Sequence, residues 1–277
     1  MRATVADQVR LLTRLGFQEQ LQLVYTDPPF FSGKVQRADA GEFMDRWATL
    51  PSYLEFIRAY IVSILPLISP SGFFVLHCDY HASHYLKVLG DSIFGYENFR
   101  NEIIWHYTGR RQPADLHINR KHDVLLVWAR SSASRMHAVS EPWDREHYLR
   151  MKRQQLQVDE DGREWVWGHK GRGQSHAYRI YVDEAVAQGR AIDSVWDMPI
   201  IGISAKERTG YPTQKPRALL NRVVELFTAP GQWVADFMAG SGTAGEAAWS
   251  QGRPVYLGDL NPDAVAIIRR RMARISQ

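Results

Sequence analysis

Seven short apolar runs, most of them separated by segments of helical periodicity, constrain the fold of this chain more than any other feature. Several runs are continuous rather than alternating, which is typical of strands covered on both faces. Strands that alternate with helices predict an α/β fold with a mainly parallel, doubly wound sheet of seven strands. The predicted strands are residues 3–5, 21–25, 73–78, 102–106, 124–128, 233–236 and 255–258.

Helical spacing of apolar residues predicts helices between these strands, and two have well-marked bounds, Arg217–Phe227 and Pro262–Ile275. Two segments break the alternation. Residues 31–50 have little periodicity, so we expect a mobile loop there. Residues 131–204 show no strand–helix rhythm, which indicates an insertion. The expected division is therefore 1–130 and 205–277 as halves of one domain, with 131–204 inserted between them.

Composition excludes several classes of protein. The chain has 277 residues, 45% of them hydrophobic, and a single cysteine, Cys78, so neither an intrachain disulfide nor a multi-cysteine zinc site is possible. No secretory signal is visible. The longest apolar stretch, residues 57–68, is shorter than the roughly 20 residues that span a bilayer. We therefore expect a cytoplasmic protein. His81 and His84 lie one helical turn apart without an evident third ligand, so no metal is predicted.

Positive charge is concentrated in the middle of the chain. The net charge is +4, and residues 100–179 hold 15 Lys/Arg against 10 Asp/Glu. Such a segment is typical of a surface that binds a polyanion, although a solvated face can have the same composition. The candidate phosphate contacts are Arg110, Arg111, Lys170 and Arg172.

The first chemical motif is Asp27-Pro28-Pro29-Phe30, directly after the predicted strand 21–25. It should emerge at the carboxyl end of that strand, where open α/β sheets bind ligands. The two prolines remove two backbone donors, which leaves the Asp27 carboxylate and the Pro28 carbonyl as acceptors. Such a pair suits the hydrogens of an aromatic amine, with Phe30 stacked on its ring. A plain proline turn after a strand is the alternative.

The second motif is a glycine turn, Ala239-Gly240-Ser241-Gly242, between the predicted strand Trp233–Asp236 and a helix that begins at Thr243. Glycines permit close approach of a ligand to the backbone. Asp259 follows the next strand, 23 residues after Asp236, which is near the spacing of the acid that binds ribose hydroxyls in dinucleotide folds. The pattern favours a cofactor that contains a nucleoside, and a turn or N-cap role for Asp259 is the alternative.

In this order the motifs resemble those of the site-specific amino-DNA methyltransferases of the permuted, β-type class. The resemblance covers nearly the whole chain. It is carried by Val5-Ala6-Asp7 with Leu12 and Leu15, Thr26–Phe30, Gly72-Phe73-Phe74-Val75-Leu76-His77-Cys78-Asp79, Phe94-Gly95-Tyr96-Glu97-Asn98-Phe99-Arg100-Asn101-Glu102-Ile103-Ile104-Trp105, Lys121-His122-Asp123 and Tyr211-Pro212-Thr213-Gln214-Lys215-Pro216.

The resemblance implies transfer of a methyl group from S-adenosylmethionine to the N6 amine of adenine, in a base flipped out of double-stranded DNA. It also implies that the strand from residue 3 lies beside the strand from residue 255, and that the insertion recognises the target sequence. Two alternatives stay open. One is a cytosine-N4 methyltransferase, since the same acceptors fit that amine. The other is a methyltransferase-like subunit that binds DNA without turnover.

The resemblance also implies roles for particular residues. The catalytic set is Asp27, Pro28, Pro29 and Phe30. The cofactor-binding set is Asp7, Asp27, Thr213, Gln214, Lys215, Asp236, Met238, Ala239, Gly240, Ser241, Gly242, Thr243, Asp259 and Leu260. Two positions depart from the family pattern, since Phe30 replaces the commoner Tyr and Met238 replaces the usual Phe. A bacterial, archaeal or phage origin, a homodimer and a cognate restriction endonuclease are further implications of the family.

Overall fold

The computed structural model describes residues 4–38, 41–108, 118–169 and 177–275, without the side chains of Ala38 and His169. The chain forms two compact units. The first comprises Met1–His137 and Ser194–Gln277, and the second comprises Ala138–Asp193. The second unit therefore lies within the segment that the sequence indicates as an insertion.

The described residues of both units form eight α-helices and fourteen strands, which alternate along most of the first unit. The helices are α1 (Val5–Arg14), α2 (Leu50–Ile64), α3 (Ser83–Phe94), α4 (Arg145–Lys152), α5 (Val182–Gln188), α6 (Arg217–Phe227), α7 (Thr243–Trp249) and α8 (Pro262–Ile275), with short 3-10 turns at Leu65–Leu67 and Tyr96–Asn98. The strands are β1 (Leu21–Thr26), β2 (Lys34–Ala38), β3 (Gly41–Asp45), β4 (Ile68–Cys78), β5 (Phe99–His106), β6 (His122–Ala129), β7 (Ser140–Glu141), β8 (Gln157–Val158), β9 (Glu164–His169), β10 (Ala177–Tyr181), β11 (Arg190–Ala191), β12 (Val195–Asp197), β13 (Trp233–Asp236) and β14 (Val255–Leu257).

The central sheet of the first unit has seven strands in the order β12-β5-β6-β4-β1-β13-β14. β1 is parallel to both β4 and β13, β13 is parallel to β14, and β12 is parallel to β5. β6 runs antiparallel to its neighbours β4 and β5. β1 is buried along its whole length, as expected for a strand covered on both faces. The predicted α/β class and mainly parallel sheet are confirmed.

The predicted strand at residues 3–5 is wrong for residues 4 and 5, the part of it that the structure describes. Val5 begins α1, and the Thr4 side chain accepts a hydrogen bond from the Asp7 backbone while the Asp7 carboxylate bonds back to Thr4. This reciprocal capping box stabilises a helix start. The seventh strand of the sheet is instead β12, whose three residues pair with β5. A strand that short has no periodicity for a sequence pattern to detect.

The expected loop at residues 31–50 contains the β2–β3 hairpin, in which Lys34 pairs with Asp45 and Arg37 with Glu42. The Asp45 carboxylate is buried and accepts hydrogen bonds from the backbone amides of Phe31 (2.7 Å) and Ser32 (3.1 Å). Phe31 has a left-handed φ of 64°. Asp45 therefore fixes the sharp turn between the end of β1 and the hairpin.

The main core lies between the sheet and helices α2 and α3. α2 and the following 3-10 turn, Leu50–Leu67, are long and apolar enough by composition to cross a membrane. The side chains that α2 buries nevertheless belong to the protein core, namely Tyr53, Ile57, Tyr60, Ile61 and Ile64. This segment is consistent with the core helix of a globular domain.

Gly90 provides a test of this packing, because a Cβ on Gly90 of α3 would lie 2.2 Å from the Trp128 ring. Trp128 is fully buried, and its indole N–H donates to Asp91 at 3.0 Å, so the ring has little freedom to move. Although alanine favours helix by about 1 kcal/mol, Gly90→Ala is expected to lower the free energy of unfolding by about 1–3 kcal/mol. Urea denaturation measures the change. Gly202→Ala, with no heavy atom within 4 Å of its Cβ, is the control. Equal stability of the two variants would contradict the clash.

The second unit has its own small core. β9 pairs with β10 and β8 in an antiparallel sheet, and β7 pairs with β11. Tyr148 of α4, Val166 of β9 and Val182 of α5 are buried together. The sheet and its two helices therefore bury a common apolar cluster.

Candidate active site at the carboxyl edge of the sheet

Four aspartates follow or end parallel strands at the same edge of the sheet. Asp27 follows β1, Asp79 follows β4, Asp236 ends β13, and Asp259 lies two residues beyond β14. All four line a cavity of about 820 Å³. The carboxyl edge of an open parallel sheet is where such folds bind ligands, so this cavity is the candidate site.

Asp27 is held by a cation from a distant part of the chain. The Lys215 ammonium donates to Oδ2 of Asp27 at 2.6 Å, and the Lys215 side chain is only 9% exposed. Oδ1 of Asp27 is buried and has no hydrogen-bond partner among the described residues. Buried carboxylate oxygens normally have a donor, so Oδ1 is an acceptor available to a ligand.

Phe30 lies beside this ion pair. The Lys215 ammonium lies 4.9 Å from the centre of the Phe30 ring, and the ring is tilted by 33° against His77 at 5.7 Å. The carbonyl of Pro29 accepts a hydrogen bond from the Tyr53 hydroxyl at 2.9 Å. Residues 27–30 are therefore held by Tyr53 of α2 and His77 of β4, and they present an acceptor next to an aromatic face.

The glycine turn also lines the cavity. Gly240 has a left-handed φ of 50°, and a Cβ there would lie 3.0 Å from the Tyr211 ring. The Gly240 amide donates to Oδ2 of Asp259 at 2.8 Å, and the Asn261 amide donates to Oδ1 at 2.8 Å. Burial raises the pKa of the Asp259 carboxyl, and these two amides act in the opposite direction. Asp259 thus joins the turn to the end of β14.

Asp236 lies at the base of the turn. Its carboxylate accepts a hydrogen bond from the Met238 amide at 3.0 Å. Burial raises the pKa of the Asp236 carboxyl well above its usual range, and the neighbouring Asp27 and Asp259 carboxylates act in the same direction. Several acids thus share one enclosed wall, which favours a ligand with positive charge.

The segment before α6 closes a further side of the cavity. The Gln214 side chain accepts from the Thr209 amide at 2.8 Å and donates to the Glu207 carbonyl at 2.7 Å. The Tyr211 ring is stacked parallel to Phe43 of the hairpin at 6.5 Å. Side chains of the hairpin and of this segment therefore meet at the cavity.

Most residues that the sequence singles out do line this one cavity: Asp27, Pro28, Pro29, Phe30, Thr213, Gln214, Lys215, Asp236, Met238, Ala239, Gly240, Ser241, Thr243, Asp259 and Leu260. Gly242 does not line it, and with a left-handed φ of 76° it turns the chain into α7. Asp7 does not line it either, because its carboxylate caps α1 and pairs with Arg10. The candidate phosphate contacts Arg110, Arg111, Lys170 and Arg172 lie outside the described residues.

Sequence reasoning missed several residues of the site. The hairpin contributes Lys34, Phe43 and Asp45, and the turn after β4 contributes Tyr80. Asp79, which also lines the cavity, ends one of the motifs that carry the family resemblance and follows a predicted strand in the same way as Asp27. The hairpin had no usable signal, because its polar sequence resembles an ordinary loop. No group of three potential metal ligands occurs within the residues the structure describes.

Comparison with known proteins identifies the family. The model of the N6/N4 family described as "DNA methylase" matches residues 21–270. The chain belongs to this family. The methylase is 22% identical to the type II methyltransferase M2.DpnII of Streptococcus pneumoniae over 280 residues. The matched region covers 96% of this chain and 87% of that protein.

Two further likenesses are informative. DNA adenine methyltransferase YhdJ of Escherichia coli (strain K12) is 37% identical over 79 residues, which are 28% of the methylase and 27% of YhdJ. The crystal structure of the M1.HpyAVI–SAM complex is similar in fold, with a TM-score of 0.59 at 16% identity, over 98% of this chain and 97% of that one. The methylase is thus an amino-DNA methyltransferase that uses S-adenosylmethionine.

The residues of the cavity fit this donor. S-adenosylmethionine has a sulfonium and an ammonium, which suit a wall of aspartates, and a carboxylate, which suits Lys215. Its adenosine needs a close backbone approach, and the bare Cα of Gly240 lines the cavity beside Asp259. When bound, the donor supplies a methyl group on a positively charged sulfur.

Proposed function

We propose that this methylase methylates the N6 amine of adenine in double-stranded DNA, acting on a base flipped out of the helix. The observation that carries the proposal is the Asp27 carboxylate, which has one oxygen fixed by Lys215, itself in contact with Phe30, and the other buried without a partner among the described residues. The amine of a stacked and paired base cannot reach such an enclosed acceptor, so the base must leave the duplex.

In this proposal Asp27 and the Pro28 carbonyl accept the two hydrogens of the amine, and Phe30 stacks on the base. An amine on an aromatic ring is a poor nucleophile because its lone pair is delocalised into the ring. Two fixed acceptors draw its hydrogens out of the ring plane and direct the lone pair at the methyl group. The lysine keeps the carboxylate in place, so little reorganisation accompanies the reaction.

The cofactor roles divide along the cavity. Asp259, already held by two amides, accepts from the ribose hydroxyls. The Asp236–Thr243 turn lies against the nucleoside, with Met238 packed at the position where the family has Phe. Thr213, Gln214 and Lys215 lie at the methionine end. Asp7 takes no part in this proposal, because its carboxylate is used to cap α1.

The N4 amine of cytosine is the second candidate, because the same acceptor pair can hold it. Asp rather than Ser at position 27 favours adenine in the family pattern, and the 79-residue likeness to a DNA adenine methyltransferase supports it. Nucleoside analysis of DNA incubated with the methylase and S-adenosylmethionine tests the choice. N6-methyladenine is the expected product, and N4-methylcytosine would overturn the proposal. Cofactor binding without transfer to either base would overturn it as well.

DNA recognition is assigned to the segment 131–204, which contains the second unit. Modification-sensitive sequencing of DNA from a host that expresses the methylase gives the methylated base and its sequence context together. A second copy of this chain and a cognate restriction endonuclease are further proposed partners. Size-exclusion chromatography with light scattering tests the first of these.

Lys215→Met tests the ion pair. Without the ammonium, the partly buried Asp27 carboxylate loses its only partner among the described residues, so we expect the single-turnover rate of methyl transfer to fall about 10- to 100-fold. Lys215→Arg keeps the charge and should retain part of the rate. A Lys215→Met variant with the wild-type rate would show that Asp27 needs no fixed cation.

A further inference from the structure

A chain of buried polar side chains crosses three neighbouring strands beneath the proposed base-binding position. The Tyr25 hydroxyl of β1 is 2.7 Å from Nδ1 of His77 on β4. Nε2 of His77 is 3.2 Å from Oδ2 of Asp123 on β6, and the Tyr107 hydroxyl donates to Oδ1 of Asp123 at 3.0 Å. His77 is fully buried. Its ring is therefore held from both sides by hydrogen bonds.

The surroundings shift the pKa values of the Asp123 carboxyl and the Tyr25 hydroxyl in opposite directions. Burial raises the pKa of the Asp123 carboxyl, but the hydrogen bond and electrostatic interaction with His77, the positive charge of Lys215 and the bond from Tyr107 outweigh it, and the pKa lies below its usual value. Burial raises the pKa of Tyr25 well above its usual range. Asp123 is thus an acceptor and Tyr25 a donor, and the two groups bond to different nitrogens of the His77 ring.

His77 also contacts the site directly. Its ring lies against Phe30, with 5.7 Å between ring centres, and meets the Trp105 ring edge-on at 5.7 Å. Tyr25 and Asp27 are two residues apart at the end of β1, and both line the cavity. The Phe30 ring therefore rests against His77, and the Lys215 ammonium is a separate contact of the same ring.

Apolar side chains could fill this space without burying an imidazole and a carboxylate, which is unfavourable unless every polar atom is paired. The hydrogen bonds of Tyr25 and Asp123 add control over the orientation of the His77 ring. Two bonds in the plane of that ring fix its tilt, whereas an aliphatic side chain held by packing alone is free to adjust.

We propose that His77, held by Tyr25 and Asp123, is a positioning residue that sets the orientation of Phe30 for stacking on the flipped base. The proposal rests on the proposed role of Phe30. His77 does not touch the reacting atoms, and its effect reaches the reaction through the Phe30 ring. A small displacement of a positioning group costs about 10- to 100-fold in rate, which is the size of effect expected.

A double-mutant cycle tests this coupling. His77→Leu alone is expected to lower kcat/KM for methyl transfer about 10- to 100-fold, with the dissociation constant of S-adenosylmethionine unchanged. In a Phe30→Ala background the same substitution should have little further effect, because the ring on which His77 acts is absent. Tyr25→Phe, which removes one hydroxyl, should show a smaller loss with the same dependence on Phe30.

Two results would overturn the proposal. One is an equal loss from His77→Leu in both backgrounds, and the other is no loss in either. Gly90→Ala is the control for stability, since it perturbs the core away from the cavity and should leave kcat/KM unchanged. The methylated nucleoside that the wild type forms distinguishes a failure of the proposed function from a failure of the proposed role of His77. Methylation of cytosine would overturn only the target base, whereas absence of transfer to any DNA would overturn both.

Discussion

Asp27→Ala is expected to abolish methyl transfer, with a fall in rate of at least about 1000-fold, while the affinity for S-adenosylmethionine stays largely intact. The substitution removes the acceptor that holds the amine, and loss of one preorganised hydrogen-bonding group in an enclosed site has effects of about 100- to 1000-fold. The ammonium of Lys215 is left without its carboxylate, which adds to the loss.

Transfer of a tritiated methyl group to unmethylated DNA measures the rate, and isothermal titration calorimetry measures cofactor binding. Glu55→Ala is a matched control, because this carboxylate lies on α2, is largely exposed and is 3.9 Å from the Arg58 guanidinium. The control should behave as the wild type. Substantial activity of Asp27→Ala would contradict the assignment of the amine-binding acceptor.

Asp259→Asn is expected to weaken binding of S-adenosylmethionine about 10- to 100-fold, which corresponds to the loss of a hydrogen bond to a charged group. The carboxylate accepts from the amides of Gly240 and Asn261 and retains lone pairs for the ribose hydroxyls. Asparagine has a single acceptor oxygen, so its NH₂ would face one of these amides. The variant should therefore disturb both the ribose contact and the glycine turn.

The pH dependence of binding gives a second measurement. Because burial raises the pKa of Asp259, this carboxyl is protonated at a higher pH than an exposed aspartate. Protonation removes an acceptor, so the wild-type affinity should fall as the pH is lowered through this raised pKa. Asp259→Asn should lack that fall. Wild-type affinity in the variant, or the same pH dependence in both proteins, would exclude Asp259 as the ribose acceptor.

The two variants should separate two halves of the site. Asp27→Ala affects transfer without cofactor binding, whereas Asp259→Asn affects cofactor binding first. The separation has a structural basis, because Asp27 follows β1 and Asp259 follows β14, and β13 lies between these strands in the sheet. A common loss of both properties in both variants would indicate general disruption of the fold.

Local patterns in the sequence predicted much of the framework. The bounds of α6 and α8 match the predicted helices Arg217–Phe227 and Pro262–Ile275, because an amphipathic stripe and an N-terminal proline are local signals. The prediction at residues 3–5 was wrong because a capping box outweighed a short apolar run. The hairpin within residues 31–50 was missed because its register depends on Asp45 and the turn at Phe31.

By itself, the sequence determined the α/β class, the two motifs and their order along the chain, since apolar periodicity and proline or glycine turns are properties of neighbouring residues. Only the tertiary structure decided that Lys215, 188 residues from Asp27, pairs with it, and that His77 bonds to Asp123, 46 residues away. Such contacts follow from the order and register of strands. Those are set by packing of the whole sheet, and no local pattern encodes them.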